Sequence, residues 1–181
     1  MTTANIITIS RICLVPVFIY FLYNMGNSTL YNILAIVIFL ILSLTDFLDG
    51  YIARKYNQVT NFGKFLDPLA DKILITSAMI VLIGLGKMNS VFALIVIARE
   101  FLITSLRLIA SDNSSVVISA SIWGKVKTFS QIVFIVAAMS EKYLTAVYNF
   151  PYATFFAWVM LILTIYSGID YLVKNAKFLR N

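Results

Sequence analysis

The chain has 181 residues, of which 61% are hydrophobic and 12% are charged. Soluble globular domains carry about twice that share of charge, so the composition nearly excludes a water-soluble protein. A membrane-spanning helix takes roughly 20 residues, which leaves room for about five to seven spans. The formal net charge of +6 is explained by cytoplasmic basic residues and anionic lipid headgroups, and we expect no nucleic-acid partner.

The residue types that are scarce restrict the chemistry. The chain has one cysteine, Cys13, and no histidine, which excludes disulfide scaffolds, Cys/His zinc sites and every histidine-based triad. A general base must then be a carboxylate, a lysine or a tyrosine, and a metal site must be rich in oxygen, which favours Mg²⁺ or Mn²⁺. The first apolar stretch lacks the basic start and cleavage site of a signal peptide, so we expect it to be retained.

Six apolar runs separated by short polar turns predict six helices. In chain order they cover residues 6–25, 29–56, 62–86, 89–111, 121–142 and 150–177. We expect all six to be transmembrane helices. The predicted fold is therefore an all-α, polytopic membrane protein, with residues 1–181 forming a single membrane domain.

The basic residues predict the orientation of these helices. With the N-terminus in the cytoplasm, eleven of the fourteen basic residues fall near cytoplasmic helix ends, whereas only Lys87 and Lys142 fall on the outer side. This is a strong positive-inside bias. Helices two to five carry charge at their cytoplasmic ends, and charge is costly against lipid, so we expect them to line a polar cavity that faces the cytoplasm.

The second predicted helix ends with two aspartates beside two small residues. At 3.6 residues per turn, Asp46, Asp49, Gly50 and Ala53 share one helical face. The missing or minimal side chains of Gly50 and Ala53 allow a bulky ligand or another helix to approach the backbone.

The third predicted helix repeats this arrangement, because Gly63, Asp67 and Asp71 recur every four residues. The short connection makes the two helices antiparallel neighbours, so four carboxylates can converge on one spot. Like charges repel there, and one divalent cation, or two about 3.5–4 Å apart, removes the conflict. The structural alternative is an ion network between these acids and the lysines and arginine beside them.

Residues Asp46 to Asp71 resemble the signature of the CDP-alcohol phosphatidyltransferases, Asp-x-x-Asp-Gly-x-x-Ala-Arg followed after eight residues by Gly-x-x-x-Asp-x-x-x-Asp. The resemblance implies transfer of a phosphatidyl group from CDP-diacylglycerol to an alcohol, with release of CMP. It also implies a homodimer in the bacterial inner (plasma) membrane, in contact with membrane lipids, with its active site on the cytoplasmic side.

The same resemblance assigns roles to individual residues. It implies that one or two Mg²⁺ or Mn²⁺ ions are held by four aspartates, Asp46, Asp49, Asp67 and Asp71. It implies that Asp71 is also the general base. It further implies binding of CDP-diacylglycerol by seven residues: Asn5, Thr8, Asp49, Gly50, Ala53, Arg54 and Gly63.

Flanking segments concern the acceptor alcohol. Asn5-x-x-Thr8-x-x-Arg11, Ala98-Arg99-Glu100 and Gly124-Lys125-Val-Lys127-Thr128 resemble family members that use glycerol 3-phosphate. A phosphorylated acceptor needs fixed cations, and Arg107, Lys125 and Lys127 are placed to supply them. An inositol phosphate, serine or a lipid stays open as acceptor. Arg99 lies deeper, and an ion pair with Glu100 or Asp170 and a substrate contact both stay open for it.

Two further classes compete with this interpretation. Intramembrane prenyltransferases also place two aspartate-rich motifs around a metal and a diphosphate, but they use about nine spans, for which this chain is too short. A metal or ion transporter would hold its cargo near the bilayer midplane between inverted repeats. Here the acids cluster toward one side and no inverted repeat is visible, so the transferase is preferred.

Overall fold

A computed structural model describes the backbone of residues 3–55, 61–112 and 122–175, and the side chains of 8–45, 70, 72–107, 122–145 and 149–175. Those ranges hold six α-helices and no strand, which confirms the all-α class. The helices are α1 (Thr3–Tyr23), α2 (Thr29–Lys55), α3 (Asn61–Gly84), α4 (Ser90–Asp112), α5 (Ile122–Tyr148) and α6 (Tyr152–Lys174).

One predicted boundary is wrong. The charged pair Glu141 and Lys142 was expected to end helix five in a polar turn, yet α5 continues to Tyr148. Glu141 forms an ion pair with Lys87 at 3.4 Å, and Thr145 Oγ1 donates to the backbone carbonyl of Glu141 at 2.6 Å. Because Glu141 is paired and Lys142 is exposed, the helix passes through the charged pair. The chain turns later, at Asn149, whose φ is 48°.

The chain divides into two compact units, Met1–Leu85 and Gly86–Asn181; the single domain over residues 1–181 stays a prediction. In the first unit, α1 packs against both α2 and α3, and α2 also contacts α3. Phe18 of α1 and Phe39 of α2 are fully buried, with ring centroids 5.5 Å apart. The apolar contacts between α1 and its two neighbours therefore form the core of this unit.

In the second unit, α6 packs against both α5 and α4. Two aromatic pairs mark these contacts. Phe92 of α4 meets Trp158 of α6 with ring centroids 4.8 Å apart, and Trp123 of α5 meets Tyr166 of α6 at 4.7 Å. Both pairs have the edge-to-face geometry that aromatic rings prefer. Together they hold α6 against its two partners.

Helix α6 distributes its residues in the opposite way to a helix on the surface of a soluble protein. Its buried face holds mainly small and polar residues, namely Ala153, Ala157, Met160, Leu161, Thr164, Ser167, Gly168 and Tyr171. Its exposed face holds large apolar ones, namely Phe155, Trp158, Ile162, Ile165, Tyr166, Ile169, Leu172 and Val173. Two segments of the described chain, Ile122–Thr145 and Tyr152–Lys174, are long and apolar enough to cross a membrane.

Candidate active site

The four predicted metal-binding aspartates lie on two helices of the first unit. Asp46 and Asp49 fall on α2, and Asp67 and Asp71 fall on α3. Both segments are helical, as the predicted shared face requires, so the two aspartates of each helix are spaced to lie on one face of that helix. The side chains of all four lie outside the described residues, so their convergence stays a prediction. Among the side chains that the structure describes, no three metal-ligating residues gather into a site.

The residues predicted to bind CDP-diacylglycerol lie mostly beside these aspartates. Gly50, Ala53 and Arg54 fall in the last two turns of α2, and Gly63 falls in the first turn of α3. Their side-chain positions, and that of Asn5 on α1, lie outside the described part of the chain.

Thr8 is the exception, because its side chain is described. It is buried to 1% exposure, one turn before the equally buried Arg11 on α1. The Thr8–Arg11 face of α1 therefore points into the first unit.

The three predicted phosphate-binding cations lie in the second unit and differ in exposure. Arg107 near the end of α4 and Lys125 at the start of α5 are exposed. Lys127 is only 3% exposed. The prediction treated Lys125 and Lys127 as equivalent, whereas the structure separates an exposed lysine from a buried one.

Lys127 is buried against a carboxylate of the neighbouring helix. Its ammonium donates a hydrogen bond to Glu100 Oε1, and Gln131 Nε2, one turn further along α5, donates to the same oxygen at 3.2 Å. Arg99 Nη1 lies 3.7 Å from that oxygen as well. We call these four residues, Arg99, Glu100, Lys127 and Gln131, the Glu100 cluster.

Sequence reasoning missed most of the Glu100 cluster. It offered Glu100 as a partner for its neighbour Arg99, and the structure places the two within ion-pair distance. The contact with Lys127 joins residues that are 27 positions apart, so it depends on how the fold brings α4 and α5 together, both of which pack against α6. One signal was present: Lys127 and Gln131 are four residues apart and share a helical face.

Two glycines on the other helices lie beside the arginines of α4. A Cβ at Gly168 on α6 would lie 3.4 Å from Arg99 Cγ, and a Cβ at Gly124 on α5 would lie 4.0 Å from Arg107 Nη2. The guanidinium carbon of Arg107 also lies 5.3 Å from the centroid of the Tyr171 ring, within the range of a cation–π interaction. Arg107 is thus held between α5 and α6 although it is exposed.

The electrostatics of this region follow from its residues. One carboxylate, that of Glu100, faces the two cations Arg99 and Lys127, so the Glu100 cluster keeps a formal charge of +1. Arg107 and Lys125 add two exposed positive charges at the adjoining ends of α4 and α5. This end of the second unit is therefore suited to hold a phosphate group.

The family model described as CDP-alcohol phosphatidyltransferase matches residues 1–166, most of the chain. The chain belongs to the CDP-alcohol phosphatidyltransferase family.

Relatives with nearly the same length are named for one reaction within that family. A Bacillus subtilis (strain 168) protein called CDP-diacylglycerol–glycerol-3-phosphate 3-phosphatidyltransferase is 37% identical, covering 97% of this chain and 96% of its own. The protein of that name from Rickettsia bellii is 38% identical, over 96% of this chain and 95% of its own. The one from Haemophilus influenzae is 36% identical, over 92% of this chain and 89% of its own.

Proposed function

We propose that this protein transfers the phosphatidyl group of CDP-diacylglycerol to glycerol 3-phosphate, forming phosphatidylglycerophosphate and releasing CMP. The observation that carries the proposal is the 37% identity, over 97% of the chain, to a relative named for this reaction. The complete aspartate motif from Asp46 to Asp71 supports it independently.

The proposed reaction is a displacement at phosphorus. A hydroxyl oxygen of glycerol 3-phosphate attacks the phosphorus that bears the diacylglycerol, and the bond from that phosphorus to the bridging oxygen breaks. CMP leaves with the bridging oxygen. The hydroxyl proton passes to the carboxylate of Asp71, which fits a chain without histidine.

Four carboxylates on two neighbouring helices form an oxygen-rich donor set that suits Mg²⁺ or Mn²⁺. Asp46, Asp49, Asp67 and Asp71 would hold the ion or ions. Bound there, a divalent cation neutralises the diphosphate and the departing CMP. Arg54 would meet the diphosphate, and Gly50, Ala53 and Gly63 would leave room for the donor, together with Asn5 and Thr8 on α1.

The acceptor's own phosphate is assigned to the second unit. Arg107, Lys125 and Lys127 supply the fixed positive charges that a phosphate requires. Lys127 is held by its buried contact with Glu100, and the guanidinium of Arg107 lies against the ring of Tyr171 and beside Gly124.

We further propose that all six helices cross the bacterial cell membrane, with the active site in a cavity open to the cytoplasm. The large apolar residues on the exposed face of α6 fit contact with lipid. The positive-inside bias of the sequence gives the orientation. A homodimer is the expected assembly.

One assay tests the reaction. Purified protein in mixed micelles with CDP-diacylglycerol and Mn²⁺ is offered glycerol 3-phosphate, serine or an inositol phosphate in parallel, and CMP release is measured. We expect release with glycerol 3-phosphate alone. Release with another acceptor and not with glycerol 3-phosphate would refute the acceptor assignment.

The metal proposal is tested in the same assay. EDTA is expected to stop CMP release, and excess Mg²⁺ or Mn²⁺ is expected to restore it, because the carboxylates alone cannot neutralise a diphosphate. The control is EDTA saturated beforehand with the same divalent cation, which has no free chelating capacity. Turnover that continues at full rate in EDTA would refute the metal site.

A further inference from the structure

We propose that Glu100 is a positioning residue for the acceptor: it fixes the ammonium group of Lys127 where the phosphate of glycerol 3-phosphate binds. This inference rests on the proposed function. It goes beyond it by giving a role to a carboxylate that does not belong to the aspartate motif and that carries the same sign of charge as the substrate.

The first support is the difference between two Lys–Glu pairs that each have one partner on α5. The pair of Lys127 with Glu100 has side chains only 3% and 13% exposed, whereas Lys87 and Glu141 are 24% and 25% exposed. A lysine has a long, flexible stem, so an isolated Lys127 would sample many positions. Burial against Glu100 removes that freedom.

The second support is the convergence on one oxygen. Glu100 Oε1 accepts from Lys127 and from Gln131, so the carboxylate is itself fixed by a neutral donor one turn from the lysine. Gln131 is 2% exposed, and its amide brings no further charge. Glu100 and Gln131 together form a rigid base for the ammonium group.

The third support is the remaining charge. Glu100 carries one negative charge and faces two cations, and Nε of Arg99 is buried with no hydrogen-bond partner among the described residues. The cluster is thus ordered by a carboxylate and still positive. Such an arrangement can bind an anion without rearranging, which lowers the cost of binding.

A positioning role and a merely electrostatic role predict opposite results. Glu100→Gln keeps the size of the side chain and removes its negative charge. If Glu100 acted only through its charge, its loss would make the region more positive and would lower the KM for glycerol 3-phosphate. If Glu100 positions Lys127, the same variant raises that KM.

The experiment compares the wild type with Glu100→Gln, Gln131→Met and the control Glu141→Gln in the CMP-release assay. For Glu100→Gln we expect the KM for glycerol 3-phosphate to rise about ten-fold and the KM for CDP-diacylglycerol to stay within about two-fold. Gln131→Met, which removes one donor and no charge, is expected to raise the first KM about two- to five-fold. Glu141→Gln is expected to match the wild type.

Three results would overturn the inference. They are an unchanged or lower KM for glycerol 3-phosphate in Glu100→Gln, an equal rise in both KM values with a lowered Tm, and an equal effect of Glu141→Gln. If Glu100→Gln does not fold, Gln131→Met decides by the same criteria. A wild-type protein that releases no CMP with glycerol 3-phosphate would instead refute the proposed function.

Discussion

Asp71 lies on α3 as the last aspartate of the motif, and its proposed task is to accept the proton of the attacking hydroxyl. Asp71→Asn keeps the size of the side chain and removes its basicity. We expect CMP release to fall by about 10²- to 10⁴-fold, the usual contribution of a general base. The measurement is the initial rate at saturating substrates, with helical content and Tm compared with those of the wild type. A folded variant with full activity would refute the assignment.

Tyr171 and Arg107 provide a second test at the residue scale. The hydroxyl of Tyr171 is buried with no hydrogen-bond partner among the described residues, whereas its ring faces the Arg107 guanidinium. Tyr171→Phe keeps the ring and should leave the KM for glycerol 3-phosphate unchanged. Tyr171→Leu loses a cation–π interaction of about 0.5–1 kcal/mol, so that KM should rise about two- to five-fold. Equal kinetics of the two variants would contradict the role of the ring.

At the scale of the helices, Gly168 marks a point of contact between α6 and Arg99 of α4. An added methyl group would make ordinary contact with Arg99 Cγ at 3.4 Å, so Gly168→Ala should be tolerated. Gly168→Leu must displace Arg99 or separate the helices, and overpacking of this kind costs about 1–3 kcal/mol. We expect a lowered Tm in detergent for the leucine variant. Gly26→Leu is the matched control, because no atom lies within 4 Å of a Cβ at Gly26.

The helices were largely predictable because the apolar runs and their breakers are local. The predicted segment 62–86 compares with Asn61–Gly84 for α3, and 29–56 compares with Thr29–Lys55 for α2. The end of α5 was missed because Glu141 pairs with Lys87, 54 residues earlier.

The same distinction explains the site. The aspartate motif is local and was readable from spacing, although its convergence stays a prediction. The contact of Glu100 with Lys127 depends on tertiary structure, because it joins α4 to α5 and both helices pack against α6. Nothing in the sequence near Glu100 distinguishes a partner on α5 from its neighbour Arg99.

For the whole molecule, the proposed topology makes a direct prediction. In a Cys13→Ser background, Asn27→Cys places the only thiol in the connection between α1 and α2, and Lys174→Cys places it at the end of α6. A membrane-impermeant maleimide should label Asn27→Cys in intact cells, because this connection is proposed to lie outside. It should label Lys174→Cys only after the cells are permeabilised, because the end of α6 is proposed to lie in the cytoplasm. The control is the Cys13→Ser protein, which should not be labelled. Labelling of Lys174→Cys in intact cells would contradict the orientation.

The arrangement of α6, with small residues inside and large apolar residues outside, has a thermodynamic consequence in such a membrane. When the helices separate within a bilayer, their surfaces pass from protein to lipid and not to water, so little apolar surface becomes hydrated. Hydration of apolar surface is the source of the large heat capacity change of unfolding in water. The packing of α6 against α4 and α5 should therefore weaken steadily on heating, without the cold-side loss of stability that soluble domains show.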